Sequence, residues 1–140
     1  MNSNVNTTQD TVAATILIAD DDEDILALVH RALSETGYEV LLARDGATAL
    51  ATARERKPAL ALLDIAMPEL DGYEVTSALK NDPATKNIIV ILFTARSEAS
   101  DVEKGYQAGA DDYIMKPFTL RTLQSRLLAA LERATPAADN

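Results

Sequence analysis

The sequence predicts an α/β protein: a five-stranded parallel sheet, doubly wound by five helices. Two observations predict it. Five apolar, strand-like runs alternate with five amphipathic stretches of helical period, the strand coming first each time. The runs are also nearly continuous in apolar residues, as in strands covered by helices on both faces, where a half-exposed strand would alternate apolar with polar. Right-handed crossovers between parallel strands then place helices on both sides of the sheet. The 140 residues are one domain's worth.

Each element has a local reason. TILIAD, 15–20, is the first strand. Ile25, Leu28, Val29, Ala32 and Leu33 then recur at helical spacing, and Gly37 stands where a helix commonly stops. YEVLLA, 38–43, is the second strand. An Ala-rich helix over 46–56 carries Arg54, Arg56 and Lys57 at its negative end, and Pro58 blocks its continuation. ALALLD, 59–64, is the third strand, and the loop IAMPELDG leads to a helix from Tyr73 to Asn81 with Asp71 as its N-cap. Asp82-Pro83 breaks that helix. IIVILFT, 88–94, is the fourth strand. A weaker helix over 97–107 aligns Ala99, Val102 and Tyr106, and Gly109 closes it. DYIM, 112–115, is the fifth strand. The last helix starts at Thr119 as N-cap, with Phe118 and Leu123 placed to form a hydrophobic staple. Leu120, Leu123, Leu127 and Leu131 are its apolar face, and Arg121, Arg126 and Arg133 read as a solvated one.

Residues 1–13 form a polar lead-in, read as disordered and not as a secretory signal, since a basic start and an apolar stretch are both missing. Residues 135–140 read as a disordered tail or the start of a linker. The starting Met and short tail favour a chain that acts alone by docking on a partner. No apolar run approaches a membrane span. The net charge of -9 argues against direct nucleic-acid binding, which needs clustered Lys and Arg, and against an anionic membrane surface. With no cysteine, thiolate metal sites and a cysteine nucleophile are excluded.

Ligands of doubly wound sheets bind beyond the carboxyl ends of the strands. There the sequence places Asp20 and Asp21 where the first strand ends, Asp64 at the end of the third, Thr94 at the end of the fourth and Lys116 next to the end of the fifth. Asp20 and Asp21 open a run of five acids, ending at Asp24. Such crowding is costly: two unit charges ~4 Å apart repel by about 4 kcal/mol at an effective dielectric of about 20. A helix start explains Asp22, Glu23 and Asp24, because acids favour the positive end of the helix dipole. Asp20, Asp21 and Asp64 carry three negative charges against one positive charge on Lys116. A divalent cation balances the remaining two, and carboxylate oxygens suit a hard ion such as Mg²⁺. Metal, carboxylate, ammonium and hydroxyl are the parts that phosphoryl transfer needs.

The segments ILIADDDED, LLDIAMPELDG, LFTA and GADDYIMKPF, in that order, carry a family resemblance. Over residues 14–134 the chain resembles the receiver domain of two-component response regulators, of the chemotaxis-type single-domain kind. The resemblance implies a flavodoxin-like (βα)5 fold with strand order 2-1-3-4-5. It implies Asp64 as phosphoacceptor, with Asp20, Asp21, Asp64 and the backbone carbonyl of Ala66 holding Mg²⁺, for which Mn²⁺ can substitute. Asp21 is implied as a direct ligand and Asp20 as one acting through water. Lys116 and Thr94 would each meet a phosphoryl oxygen, with Tyr113 as the switch aromatic that turns inward. The Lys116-Pro117 bond is expected to be cis.

The implied protein is a cytoplasmic signalling phosphoacceptor and not a turnover enzyme. Its donor is the phosphohistidine of a sensor histidine kinase or histidine phosphotransfer protein. Its output is a changed surface on the fourth helix, fifth strand and fifth helix, offered to an unidentified downstream protein by a monomer or a phosphorylation-dependent dimer. Ala66 and Arg96 occupy the positions that flank the attacking water, which implies slow self-dephosphorylation. The alternative is a non-phosphorylated interaction module on the same fold. Such modules usually lose the acceptor, the acidic pair or the Lys, all of which stand here. A Mg²⁺ phosphohydrolase with an Asp nucleophile would need Thr or Val two places after Asp-x-Asp, and Asp24 stands there.

Overall fold

The structure, a computed structural model, describes residues 15–34, 36–95 and 98–134. The expected lead-in over 1–13, the tail over 135–140, Arg96 and the helix start at 97 lie outside these residues. The chain runs β1 (Thr15–Ala19), α1 (Glu23–Ser34), β2 (Glu39–Ala43), α2 (Gly46–Arg56), β3 (Leu60–Leu63), α3 (Gly72–Lys80), β4 (Ile89–Thr94), α4 (Ala99–Ala108), β5 (Asp112–Met115) and α5 (Leu120–Ala134). All four ladders are parallel and the strand order is β2-β1-β3-β4-β5, as the resemblance implied.

The apolar strands divide their side chains by parity. Ile16, Ile18, Leu60, Leu62, Ile91 and Phe93 pack with Leu26, Val29 and Leu33 of α1 and Leu123, Leu127 and Leu131 of α5. Leu17, Ala19, Ala61, Leu63, Val90 and Leu92 face Ala49 and Ala53 of α2 and Val75 and Leu79 of α3. Both faces are thus buried, which is why the strands needed no polar alternation. The small Ala side chains of α2 let that helix lie close to the sheet despite its weak amphipathicity.

Helix ends follow their caps. Asp22 accepts from the Asp24 N–H at 2.9 Å, so this member of the acidic run serves the helix start. Asp45 accepts from the Thr48 N–H at 2.7 Å. Asp71 and Glu74 form a reciprocal capping box at 2.9 Å each way. Thr119 accepts from the Thr122 N–H at 3.0 Å. At the other ends, Gly109 takes the left-handed conformation after α4, and Lys57 takes it after α2. The Lys116-Pro117 bond is cis.

Three side-chain placements depart from the sequence reading. In α1 the buried residues are Leu26, Val29, Ala32 and Leu33, while Leu28 is 41% exposed. The apolar stripe of α1 is wider than the sheet beneath it, and Leu28 lies on its uncovered edge. In α4 the phase through Tyr106 is wrong: Tyr106 is 46% exposed and Gly105 is the buried residue. A glycine reads as a gap in an apolar pattern, yet it allows the closest approach to the sheet. In α5 Arg126 is not simply solvated; it pairs with both carboxylate oxygens of Asp112 at 2.8 to 3.0 Å.

Candidate functional site

The reversal of strand order falls at β1, whose neighbours are β2 on one side and β3 on the other. The helix after β1 packs on one face of the sheet and the helix after β3 on the opposite face. Their departure leaves a crevice at the strand ends. Ala19 pairs with Leu63 at the end of the β1–β3 ladder, and the next residues, Asp20 and Asp64, face this crevice. Asp20, Asp21 and Asp64 each bring a carboxylate oxygen within 4.8 Å of the others. Asp20 is wholly buried and Asp64 nearly so, whereas Asp21 is exposed.

Lys116 is the counter-charge. Its Nζ lies 2.8 Å from Asp20 Oδ2 and 3.6 Å from Asp64 Oδ2. It also sits 4.9 Å above the ring of Phe93, whose π face favours a cation. The Lys116 N–H donates to the Thr94 carbonyl at 2.8 Å, so β4 and β5 hold the ammonium over the acids. Asp20 accepts from the Asp22 N–H at 2.9 Å, which fixes the other side of its carboxylate.

Asp64 is held above the usual carboxylate range. Burial is the main cause, and the Asp20 charge adds to it; Lys116, the Ala66 N–H and the Thr94 hydroxyl oppose them. Thr94, at the end of β4, thus stands beside the acid whose phosphoryl oxygen it was expected to meet. Two unit charges 4.8 Å apart, the widest separation in the cluster, repel by roughly 3 kcal/mol at an effective dielectric of about 20. The crevice is short of positive charge by two. Tyr113 lies inward, 6% exposed, with its ring against α4. The structure thus brings Asp20, Asp21, Asp64, Thr94 and Lys116 together and puts Tyr113 on the next strand over. Ala66 lies in the adjoining loop with an exposed side chain.

Sequence reasoning missed the glycines that let this site close. A Cβ on Gly72 would stand 2.5 Å from the backbone oxygen of Asp64, so the first turn of α3 can press on the strand end only through glycine. A Cβ on Gly46 would stand 1.8 Å from the Leu70 carbonyl oxygen, inside the loop that follows Asp64. Both follow an N-capping Asp, as Asp45-Gly46 and Asp71-Gly72; that pair was the available signal. Also missed was a hollow of about 380 Å³ beside Lys116, lined by Ile25, Leu28, Ala95, Pro117 and Phe118.

Comparison with known proteins agrees with this geometry. The profile of the response regulator receiver domain matches residues 16–128. The transcriptional regulatory protein PrrA of Mycobacterium tuberculosis is 45% identical over 118 residues, which cover 84% of this chain and 50% of that protein. The phosphate regulon transcriptional regulatory protein PhoB of Pseudomonas aeruginosa is 43% identical over 125 residues, covering 89% and 55%. Among solved structures, a CheY-like response regulator receiver domain protein of Methanospirillum hungatei superposes with a TM-score of 0.82 at 31% identity, covering 87% of this chain and 96% of that one. The receiver domain of a signal transduction histidine kinase from Syntrophus aciditrophicus gives 0.80 at 36%, covering 86% and 92%. The chain belongs to the response regulator receiver domain family of two-component signalling. It spans about half the length of the curated relatives it matches. Among the described residues, no helix is long and apolar enough to cross a membrane.

Proposed function

We propose that Asp64 is the phosphoacceptor of this receiver domain and that the unit spans residues 14–134. The observation that carries the reading is the cluster itself: three carboxylates within 4.8 Å, one ammonium at 2.8 and 3.6 Å, and a charge of -2 left over. The donor set fits Mg²⁺, or Mn²⁺ in its place: oxygen ligands only, two of them buried and one open to solvent. Asp20, Asp21, Asp64 and the Ala66 carbonyl would hold the ion. When bound, it would neutralise charge on the phosphoryl oxygens.

A carboxylate oxygen of Asp64 attacks the phosphorus of a phosphohistidine on a histidine kinase or phosphotransfer protein. The phosphorus–nitrogen bond breaks, the imidazole leaves with the electron pair, and an acyl phosphate forms. Lys116 and Thr94 stand beside the acceptor to take phosphoryl oxygens. The new charge then biases Thr94, Tyr113 and the α4–β5–α5 surface toward one of two states, read by a downstream protein. A cytoplasmic location belongs to the same reading, as does the choice between monomer and phosphorylation-dependent dimer. The hollow beside Lys116 would seat the donor protein, and its apolar wall of Ile25, Leu28 and Phe118 suits a protein surface.

Intact mass after incubation with Mg²⁺ and a small phosphodonor tests the acceptor. One phosphoryl group on the parent and none on Asp64→Asn is the expected result. No adduct, together with no Tyr113 response to beryllofluoride, would overturn it in favour of an interaction module.

A further inference from the structure

Among the described residues, α4 buries little side chain against the sheet. Its N-terminal residue Glu98 makes no side-chain capping bond, Val102 is half-buried, Tyr106 is exposed, and Gly105 is its buried residue. Further ties run to α3, where the Tyr73 hydroxyl donates to the Asp101 carbonyl at 3.1 Å and Lys104 lies 4.7 Å above the Tyr73 ring. Glycine is among the poorest helix formers, and an ill-anchored helix is a poor place for one. What lies beneath it supplies a reason. A Cβ on Gly105 would stand 3.0 Å from Cδ2 and 3.1 Å from Cε2 of Tyr113, and 3.0 Å from Cδ1 of Leu92. Contacts that short require a neighbour to give way. Leu92 is wholly buried in β4, with β3 on one side and β5 on the other. Tyr113 lies on β5, the last strand of the sheet, and is the more able of the two to turn.

We propose that Gly105 is a positioning residue for Tyr113. The missing side chain is the seat in which the ring lies when it points inward. A methyl group there shifts the ring outward and weakens transmission from Asp64 to the α4–β5–α5 surface. This inference rests on the reading of Tyr113 as the switch aromatic. It differs from a purely architectural role, in which glycine merely lets α4 approach Leu92.

Fluorotyrosine labelling with ¹⁹F NMR tests it in the full chain. The protein has four tyrosines, and Tyr113→Phe identifies the relevant signal. Beryllofluoride with Mg²⁺ is the probe. The Tyr113 signal of Gly105→Ala is expected to start more solvent-exposed and to move by less than half the parent's shift, with phosphoryl uptake at Asp64 unchanged by intact mass. If parent and variant move equally, the Gly105 proposal is wrong while the reading of Tyr113 stands. If the parent signal itself stays still, the reading of Tyr113 fails and takes the proposal with it. Should Gly105→Ala fail to fold, the Gly105→Ala, Tyr113→Ala double variant decides. Recovery of folding assigns the clash to the ring, as proposed; continued failure assigns it to Leu92 and overturns the proposal.

Discussion

Lys116 stands between two carboxylates that the fold has taken out of water, so its loss affects stability before it affects chemistry. Asp20 is wholly buried and has its ion pair with Lys116 at 2.8 Å. Removing one partner of a buried pair leaves the other charge uncompensated, which typically costs about 3 to 5 kcal/mol. Since Lys116 keeps some solvent contact, Lys116→Met is expected to cost about 3 kcal/mol in urea unfolding without Mg²⁺; a loss under roughly 1 kcal/mol, the range of surface pairs, would show the pair to be solvated. Asp45 gives a pH-dependent case. The Thr48 N–H, then its hydroxyl, hold this N-cap below the usual carboxylate value. Between the folded and unfolded values, near 3.9 for the latter, only the unfolded chain takes up the proton. Stability from ionised Asp45 is therefore full above the unfolded value and lost as pH falls through the folded one. The gap in urea midpoint between the parent and Asp45→Ala is expected to shrink over that window; a constant gap from pH 6 to pH 2 would contradict it. The acids and Lys116 were legible in the sequence because strand ends converge by topology, whichever side chains they bear. The cation–π contact of Lys116 with Phe93 was not, because it depends on the side chain's path.

Elements were legible in kind and order, but less so in phase. Apart from the start of α4, which lies outside the described residues, the strands and helices stand within one or two residues of their expected ends, the usual ambiguity of a helix or strand terminus. What the spacing did not settle was which edge of a broad apolar stripe would face the sheet. Leu28 and Tyr106 both fall on the apolar spacing of their helices, and both are exposed. Leu28 borders the hollow beside Lys116, the surface on which the proposed function seats a phosphohistidine protein. Replacing an exposed side chain costs little stability. Leu28→Asp is therefore expected to slow phosphoryl transfer from a phosphohistidine protein while leaving labelling by a small phosphodonor at the parent rate. Equal slowing with both donors would place the defect at the site itself and remove the docking role from α1.

At the scale of the whole molecule, the sheet gathers charge at one end and leaves it unbalanced. Its apolar strands close the core on both faces, and at their carboxyl ends three carboxylates meet one ammonium. The glycines at 46 and 72 draw the loops after β2 and β3 tightly around this end, a feature a sequence conceals because close approach leaves no residue pattern beyond glycine itself. The compact fold therefore holds an electrostatic strain that the unfolded chain lacks, since there Asp64 is far from the Asp20-Asp21 pair. A cation that binds the gathered acids and not the separated ones stabilises the fold by mass action. At a hundredfold excess over its dissociation constant, Mg²⁺ is expected to raise the unfolding free energy by about 2.7 kcal/mol. Asp21 is the informative control. It is exposed, so Asp21→Asn removes a carboxylate from the cluster without opening a cavity in the core. The variant is expected to match or slightly exceed the parent without Mg²⁺, because one repulsive charge is gone, and to lose most of the Mg²⁺-dependent gain. Calcium-free urea titrations at fixed ionic strength separate this from general screening, which would stabilise both proteins alike. If Asp21→Asn kept the full gain, the ion would be acting elsewhere on this acidic surface, and the strand-end cluster would no longer be its site.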